Sequence, residues 1–366
     1  MEINKILQKI FKKTFQNLFK IFHGKIQLIN SYDDLSIIKH KIDYLNIDKK
    51  NFEVKKNIYE INNAKIYTDL VEQVAVIKDK KLISEASFQQ IDGEFKKAEQ
   101  NKVLTEGTPR FIKKLNGSDI SLIQGVSGEN YFHFLFDIIS KLKLFSQIVD
   151  LEKINYFYIQ GFFPWQIEIL KLFNIPENKI IDCKKFRHLK VDKLYVCEHP
   201  WYYTGYVQYE IKNIPKWIIK FLRTKFLNLS KEFKCSKKIF IDRTDSLFSH
   251  CKLINNDEIK RFLSEEGFEI YQTSKLKFLE QVYLFKNAEI IVSPHGAALS
   301  NIVFSNSNLK LIELIPENHP SKKCERISNI LGFNYIRVEL ENLNSKHNLN
   351  GDMKISTEDL NKILRK

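Results

Sequence analysis

The stretch Glu280 to Phe304, EQVYLFKNAEIIVSPHGAALSNIVF, decides how this chain is read. Val282, Leu284, Phe285 and Ala288 close a helical pattern, and Ile290-Ile291-Val292 is a short β-branched run of the kind buried in parallel sheets. Pro294 ends the strand, Gly296 permits a tight turn, and Ala297 and Ala298 keep bulk away from the first amides of the helix expected over 297–304. Such amides, with the helix dipole behind them, form a ready anion site. His295 stands at the mouth of the turn, where imidazole can donate to a phosphate or carry a proton. The alternative is that these small residues serve only close helix–sheet packing.

Outward from this segment, strands and helices alternate in both directions. Downstream of a polar, lysine-rich hinge at Leu227 to Lys238 come strands at 239–242, 268–271, 289–292, 310–315 and 334–339, separated by helices at 256–266, 275–287, 297–304 and 321–331. Upstream, strands at 120–124, 156–160 and 191–197 alternate with helices from Asn130, at 164–173 and at 211–227. Such alternation implies parallel α/β sheets, hence two Rossmann-like domains facing across a cleft, at 111–230 and 231–345. Residues 26–110 read as a β-rich segment, with Val74 to Ile77 and Leu82 to Ser84 forming a hairpin about Asp79-Lys80-Lys81. Residues 346–366 supply a closing helix near Leu360 to Leu364.

In residues 1–25, Ile3, Ile6, Leu7, Ile10, Phe11, Phe15, Leu18, Phe19 and Phe22 fall at helical spacing, with Lys5, Lys9, Lys12, Lys13 and Lys20 between them. This is an amphipathic basic helix that either lies in the headgroup layer of an anionic membrane or packs on the protein body.

A formal net charge of +14 favours anionic partners: nucleotide diphosphates, anionic lipid or nucleic acid. Nucleic acid ranks last, because the basic residues are spread along the chain without an RNA-binding aromatic motif or zinc spacing. The five cysteines stand singly, which points to a reducing compartment. No run approaches the ~18 to 20 apolar residues of a membrane span, and no signal-peptide layout is present. A cytoplasmic protein is expected.

The string Glu280-Gln281, Phe285, Ala288, Pro294-His295-Gly296-Ala297-Ala298, Asn301 and Phe304 resembles the signature of glycosyltransferase family 61 (DUF563). Its members include bacterial capsular-polysaccharide and lipopolysaccharide-type transferases and eukaryotic enzymes that add xylose, arabinose or N-acetylglucosamine. Gly128, Asn130, Tyr131, His133, Phe134, Leu135 and Asp137 resemble the family's upstream helix, Phe240 to Arg243 its strand end, Asn255 to Ile259 with Gly267-Phe268-Glu269 its next run, and Ile312-Glu313-Leu314 its closing strand. The chain departs from the family at Ser249-His250-Cys251-Lys252, where an arginine-rich patch is usual. The resemblance implies a GT-B-type fold and an inverting glycosyltransferase. Its partners would be a nucleotide-sugar, which is a substrate rather than a cofactor, and a glycan or lipid-linked saccharide acceptor. With the N-terminal helix, this places the protein peripherally on the inner face of the cell membrane. The rival reading is a non-catalytic glycan- or nucleotide-binding module at a membrane surface.

Arg243, His295 and Glu313 each fall at or near the carboxyl end of a strand, where open parallel sheets bind ligands. Arg243 offers a charged fork to a diphosphate, or pairs with Asp242 or Asp245 on the surface. Glu313 lies in an apolar run and needs a partner: the ribose hydroxyls of a donor, as in GT-B enzymes, or an internal cation. Donor contacts are thus expected from Arg243, His295, Gly296, Ala297, Ala298, Asn301 and Glu313, and cleft or acceptor contacts from Asn130 and Tyr131. His133 and Asp137, four apart on one helix, emerge on one face. They form either a structural pair or the base of an inverting transfer, with Asp137 ahead as base and His133 orienting it or touching donor phosphate. No D-x-D occurs to hold a metal on the donor, so charge on the leaving group falls to helix amides, Arg243 and His295.

Overall fold

The computed structural model describes residues 2–29, 37–42, 56–68, 73–122, 128–201, 205–245, 250–344 and 350–366. The end of the strand expected at 120–124, Ser249, and the side chains of Ile3, Lys5, Lys9 and Lys12 lie outside the described residues. The chain divides into two compact units, Met1–Val207 and Gln208–Lys366. No helix among the described residues is long and apolar enough to cross a membrane.

The first unit opens with the helix Glu2–His23. Its strands are β1 (Gln27–Leu28), β2 (Ile37–Ile42), β3 (Lys56–Tyr67), β4 (Ala75–Lys78), β5 (Lys81–Leu82), β6 (Gln89–Ile91), β7 (Glu94–Lys96), β8 (Lys113–Ser121), β9 (Tyr156–Ile159), β10 (Ile180–Asp182), β11 (His188–Cys197) and β12 (Gly205–Tyr206). Nine of them form one sheet in the order β1-β5-β4-β3-β11-β8-β9-β10, with β2 also on β3. The four strands β11, β8, β9 and β10 run parallel, and β3 joins them by pairing antiparallel with β11. Strands β1 to β5 of the β-rich segment therefore extend the α/β sheet, while β6 and β7 form a separate three-stranded antiparallel sheet with β12. The hairpin β4–β5 turns at Asp79 (φ 46°) and Lys80 (φ 63°), two left-handed residues that match the right-handed twist of a tight hairpin. Ile120, Phe157, Ile159, Leu189, Val191 and Leu194 are all essentially buried.

The second unit is a five-stranded parallel sheet of β13 (Lys238–Ile241), β14 (Glu269–Tyr271), β15 (Ile290–Pro294), β16 (Lys310–Pro316) and β17 (Asn334–Leu340). The order is β14-β13-β15-β16-β17, which counted within the unit is 2-1-3-4-5, one of the doubly wound orders. Alternate residues serve opposite faces. Phe240, Val292, Ile312 and Leu314 bury against helices Asn256–Glu265 and Thr357–Leu364 through Ile259, Leu263 and Leu360. The opposite face carries helices Lys216–Phe226, Phe278–Asn287 and Lys323–Leu331, where the rings of Phe226, Phe278 and Phe304 meet at 4.8 to 6.1 Å.

Segment 297–304 departs from the expected α-helix: Ala297–Phe304 winds as a 3₁₀ helix. It is short, contains the β-branched pair Ile302-Val303, and its end is held by Arg223, which donates to Val303 O at 2.8 Å and Ser305 O at 2.7 Å. Tighter i→i+3 bonding is common in such short pieces.

Candidate active site

In the first unit, the segment after β8 begins a helix at Asn130, whose Oδ1 accepts from Phe132 N at 2.9 Å and so caps it. One turn on, Phe134–Ile139 adopts a π-helical turn, a feature that concentrates at functional sites and that hydrophobic periodicity does not announce. Ser140 Oγ stands 2.7 Å from Phe136 O and 3.0 Å from Asp137 O, serving the carbonyls of this wider turn. Tyr131 packs its ring edge-to-face on Trp165 at 5.4 Å.

Asp137 lies within that turn with no exposed surface. Its Oδ2 is 2.8 Å from His133 Nδ1, and its Oδ1 accepts from Trp201 Nε1 at 2.6 Å. His199, also buried, brings Nε2 to 3.7 Å. Burial pushes the Asp137 carboxyl up, but His133 and His199 outweigh it and hold the group at about 2. Asp137 is thus a permanent carboxylate that fixes the proton of His133 on Nδ1 and leaves Nε2 as an acceptor. The side chain of His133 keeps 12% of its surface exposed, so a partner can reach the imidazole and not the carboxylate. Buried Lys141, close to the Phe88 ring at 5.6 Å, is lowered to about 8 by burial against the pull of Cys197 and Asp137. His199 and Trp201 follow β11 as His133 and Asp137 follow β8. Those two strands are parallel neighbours, so all four residues gather beyond the same sheet edge.

In the second unit, Arg243 follows β13 and His295 follows β15. These adjacent strands connect to opposite sides of the sheet, which makes their carboxyl ends the switch point where doubly wound folds take ligands. Arg243 Nη1 donates to the backbone oxygens of His295 and, at 3.3 Å, of His250. Its guanidinium occupies the space a Cβ on residue 296 would need, which is why a glycine stands there. Lys323 Nζ, also buried, donates to Gly296 O at 2.8 Å. Leu299 N to Gly296 O, 3.2 Å, is the first bond of the 3₁₀ turn, so the amides of Ala297 and Ala298 precede it. Two basic side chains therefore converge on one short backbone turn, and burial lowers both from their ordinary values.

Glu313 projects from β16 into the same corner, 1% exposed. His295 Nδ1 is 2.6 Å from Oε1, Tyr335 OH donates to Oε2 at 2.6 Å, and Cys324 Sγ reaches Oε1 at 3.4 Å. Burial raises this carboxyl, yet His295, Tyr335 and Lys323 hold it at about 2. Burial lowers His295 against the pull of Glu313, and Lys323 and Arg243 add to the lowering, so the imidazole is neutral with its proton on Nδ1. His319 packs against His295 at 4.3 Å and is driven down to about 3 by burial and that neighbour. Glu313 thus has partners within the protein: the His295 imidazole, the Tyr335 hydroxyl and the Cys324 thiol. Asn301 is fully buried, its amide donating to Gln281 Oε1 at 2.9 Å between two helices.

Each unit thus carries one imidazole whose Nδ1 is tied to a buried carboxylate. Sequence reasoning paired His133 with Asp137 and set His295 and Glu313 at neighbouring strand ends without pairing them, and it missed Trp201, His199, Lys323, Tyr335 and His319. The only local signal for any of them was Lys322-Lys323 opening a helix beside a strand end.

No curated protein matches the chain. The glycosyltransferase 61 family model matches residues 131–312, a span that runs from the Tyr131 turn through Arg243, His295 and Asn301 and stops one residue before Glu313. On that match the chain belongs to glycosyltransferase family 61 and is a glycosyltransferase.

Proposed function

We propose that this protein moves a sugar from a nucleotide-sugar donor to a glycan or lipid-linked saccharide acceptor, with inversion and without a metal ion, in building a surface polysaccharide of the capsular or lipopolysaccharide kind. A GT-B-type class is part of the proposal, supported by the parallel α/β layer in each unit. So is a peripheral position on the cytoplasmic face of a membrane.

The observation that carries the reading is the basic corner at the switch point of the second unit: Arg243 and Lys323, with the neutral imidazole of His295, about one glycine turn. It suits a diphosphate, whose charge grows as the sugar–oxygen bond breaks, and cations fixed in a buried corner oppose that charge without reorganising. The amides of Ala297 and Ala298 add donors. Because Glu313 already holds three donors, its task is to orient His295 rather than to bind ribose. Asn301 supports the turn by tying its helix to Gln281.

In the first unit, His133 Nε2 takes the proton from the acceptor hydroxyl as that oxygen attacks the anomeric carbon, and Asp137 steadies the imidazolium. This reverses the order expected from sequence, because a buried carboxylate held at about 2 is too weak and too enclosed a base. Asn130 and Tyr131 open the same turn and belong to the acceptor side. The binding-module alternative is not favoured, since the matched family is one of transferases.

A thermal-shift screen of sugar nucleotides tests the donor site. Wild-type protein should be stabilised by at least one donor by an amount that grows with the logarithm of its concentration above saturation, and Arg243→Ala should lose that response while melting cooperatively. A donor response unchanged in Arg243→Ala refutes the site.

A further inference from the structure

Among its described side chains, the helix Glu2–His23 meets the rest of the first unit along one edge. Gln16 Nε2 donates to Glu106 Oε2 at 3.0 Å, Phe19 is buried with its ring 5.1 Å from that of Phe111, and His23 lies 5.3 Å from His188. At 3.6 residues per turn these contacts sit on the flank of the helix and leave its apolar stripe outward. Ile6, Leu7, Ile10, Phe11, Ile21 and Phe22 are 57 to 80% exposed.

Against that helix opens a groove of ≈ 580 Å³. Arg110, Lys113, Lys184, Lys185 and Arg187 line it with His188, and no carboxylate does. Phe186 lies between Lys113 Nζ at 5.8 Å and Lys185 Nζ at 5.7 Å. Lys184 pairs with Glu129 behind it. The groove shares a wall with the helix through Phe111, which is 85% exposed. Its Arg110 to Lys113 and His188 side lies where β8 and β11 begin, whereas His133, Asp137, His199 and Trp201 lie where those strands end. Lys184 and Lys185 follow the carboxyl end of β10, so the groove runs from the start of β8 and β11 toward Glu129, which precedes the Asn130 turn.

We infer that this groove and the outward face of helix Glu2–His23 form one docking surface for an anionic lipid bilayer, with the groove holding phosphate headgroups. The inference rests on the membrane-peripheral reading above and assigns it a site. Two features join in the argument. Basic residues without a lining acid match an anionic leaflet, and a soluble polyanion has no use for bulky apolar side chains held in water beside them, whereas a bilayer takes them up. Phe111, Ile21 and Phe22 enter the interface, and Lys113, Lys185 and Arg110 meet the phosphates above it.

Sedimentation with lipid vesicles tests this, using the full chain with pure phosphatidylcholine or with phosphatidylcholine containing one-third phosphatidylglycerol. Wild type should bind the anionic vesicles, bind the neutral ones weakly, and come off as salt is raised. Each basic side chain near an anionic surface is worth about fivefold in partitioning, so Lys113→Gln with Lys185→Gln should lose roughly 25-fold, and Ile21→Gln with Phe22→Gln should abolish binding. All three proteins should share one circular-dichroism spectrum. Wild-type affinity in the groove variant, or equal binding to neutral vesicles, overturns the groove and leaves the membrane reading standing. Failure of wild type on every vesicle overturns both. Inorganic pyrophosphate that stabilises wild type but not the groove variant, without vesicle binding, makes the groove a soluble-anion site and overturns the proposal.

Discussion

Replacing Asp137 by asparagine isolates the proton logic of the first unit. The carboxylate accepts on both oxygens, from His133 Nδ1 at 2.8 Å and Trp201 Nε1 at 2.6 Å. Asparagine has one acceptor oxygen, and the indole, which can only donate, claims it. The amide NH₂ then faces His133 Nδ1 and forces the opposite tautomer, with the proton on Nε2 and no lone pair for the acceptor hydroxyl. General-base assistance is worth about 10²- to 10⁴-fold, so transfer should fall by that order. Donor affinity should not change, because Arg243, Lys323 and His295 belong to the other unit. A stability cost accompanies the loss. Holding the carboxyl at about 2 against an ordinary 3.8 stabilises the fold by about 2 kcal/mol. A depressed folded-state value contributes fully above 3.8 and is lost as pH falls through 2. The variant forfeits this at neutral pH, a drop in melting temperature of about 4–8 °C for a unit of this size. Single-turnover transfer, donor titration and thermal melts of Asp137→Asn and His133→Gln read these effects separately. Near-wild-type transfer in Asp137→Asn refutes the tautomer argument, and transfer surviving in His133→Gln while lost in Asp137→Asn returns the base to Asp137.

Two further outcomes follow from the second unit. Gly296→Ala has no backbone penalty, since φ at 166° is extended chain, but its methyl displaces the Arg243 guanidinium; sugar-nucleotide affinity should fall about 10- to 100-fold with little change in melting temperature, and unchanged affinity in a calorimetric titration sinks the placement of Arg243. Donor affinity should also tighten as pH falls from 8 to 6, by up to about tenfold per unit: the neutral imidazole of His295 sits among Glu313, Lys323, Arg243 and His319, and an arriving diphosphate raises its proton affinity, so binding takes up a proton. A sugar nucleotide is the right probe because its diphosphate diester does not itself titrate in that window; His295→Gln should flatten the profile, and a flat wild-type profile refutes the coupling.

The alternation of β-branched runs with amphipathic helices made the α/β class legible, because burial on both faces of a parallel strand leaves a continuous apolar run while a helix shows one stripe. The ends of those runs placed Arg243, His295 and Glu313, and the four-residue spacing of His133 and Asp137 placed their pair, since both patterns are local. Strand order is not local. Trp201 reaches Asp137 only because β11 lies beside β8, and Tyr335 reaches Glu313 only because β17 pairs with β16 in the register that sets Glu313 opposite Arg337. Proton states were equally hidden. Against the depth of burial around Asp137 and Glu313, the donors brought to them hold both carboxyls low beside His133 and His295, which no local pattern announces. Which edge of the N-terminal helix touches the body was likewise decided by Phe19 and Phe111, ninety-two residues apart in the chain, because helical periodicity defines an apolar face but not what covers it.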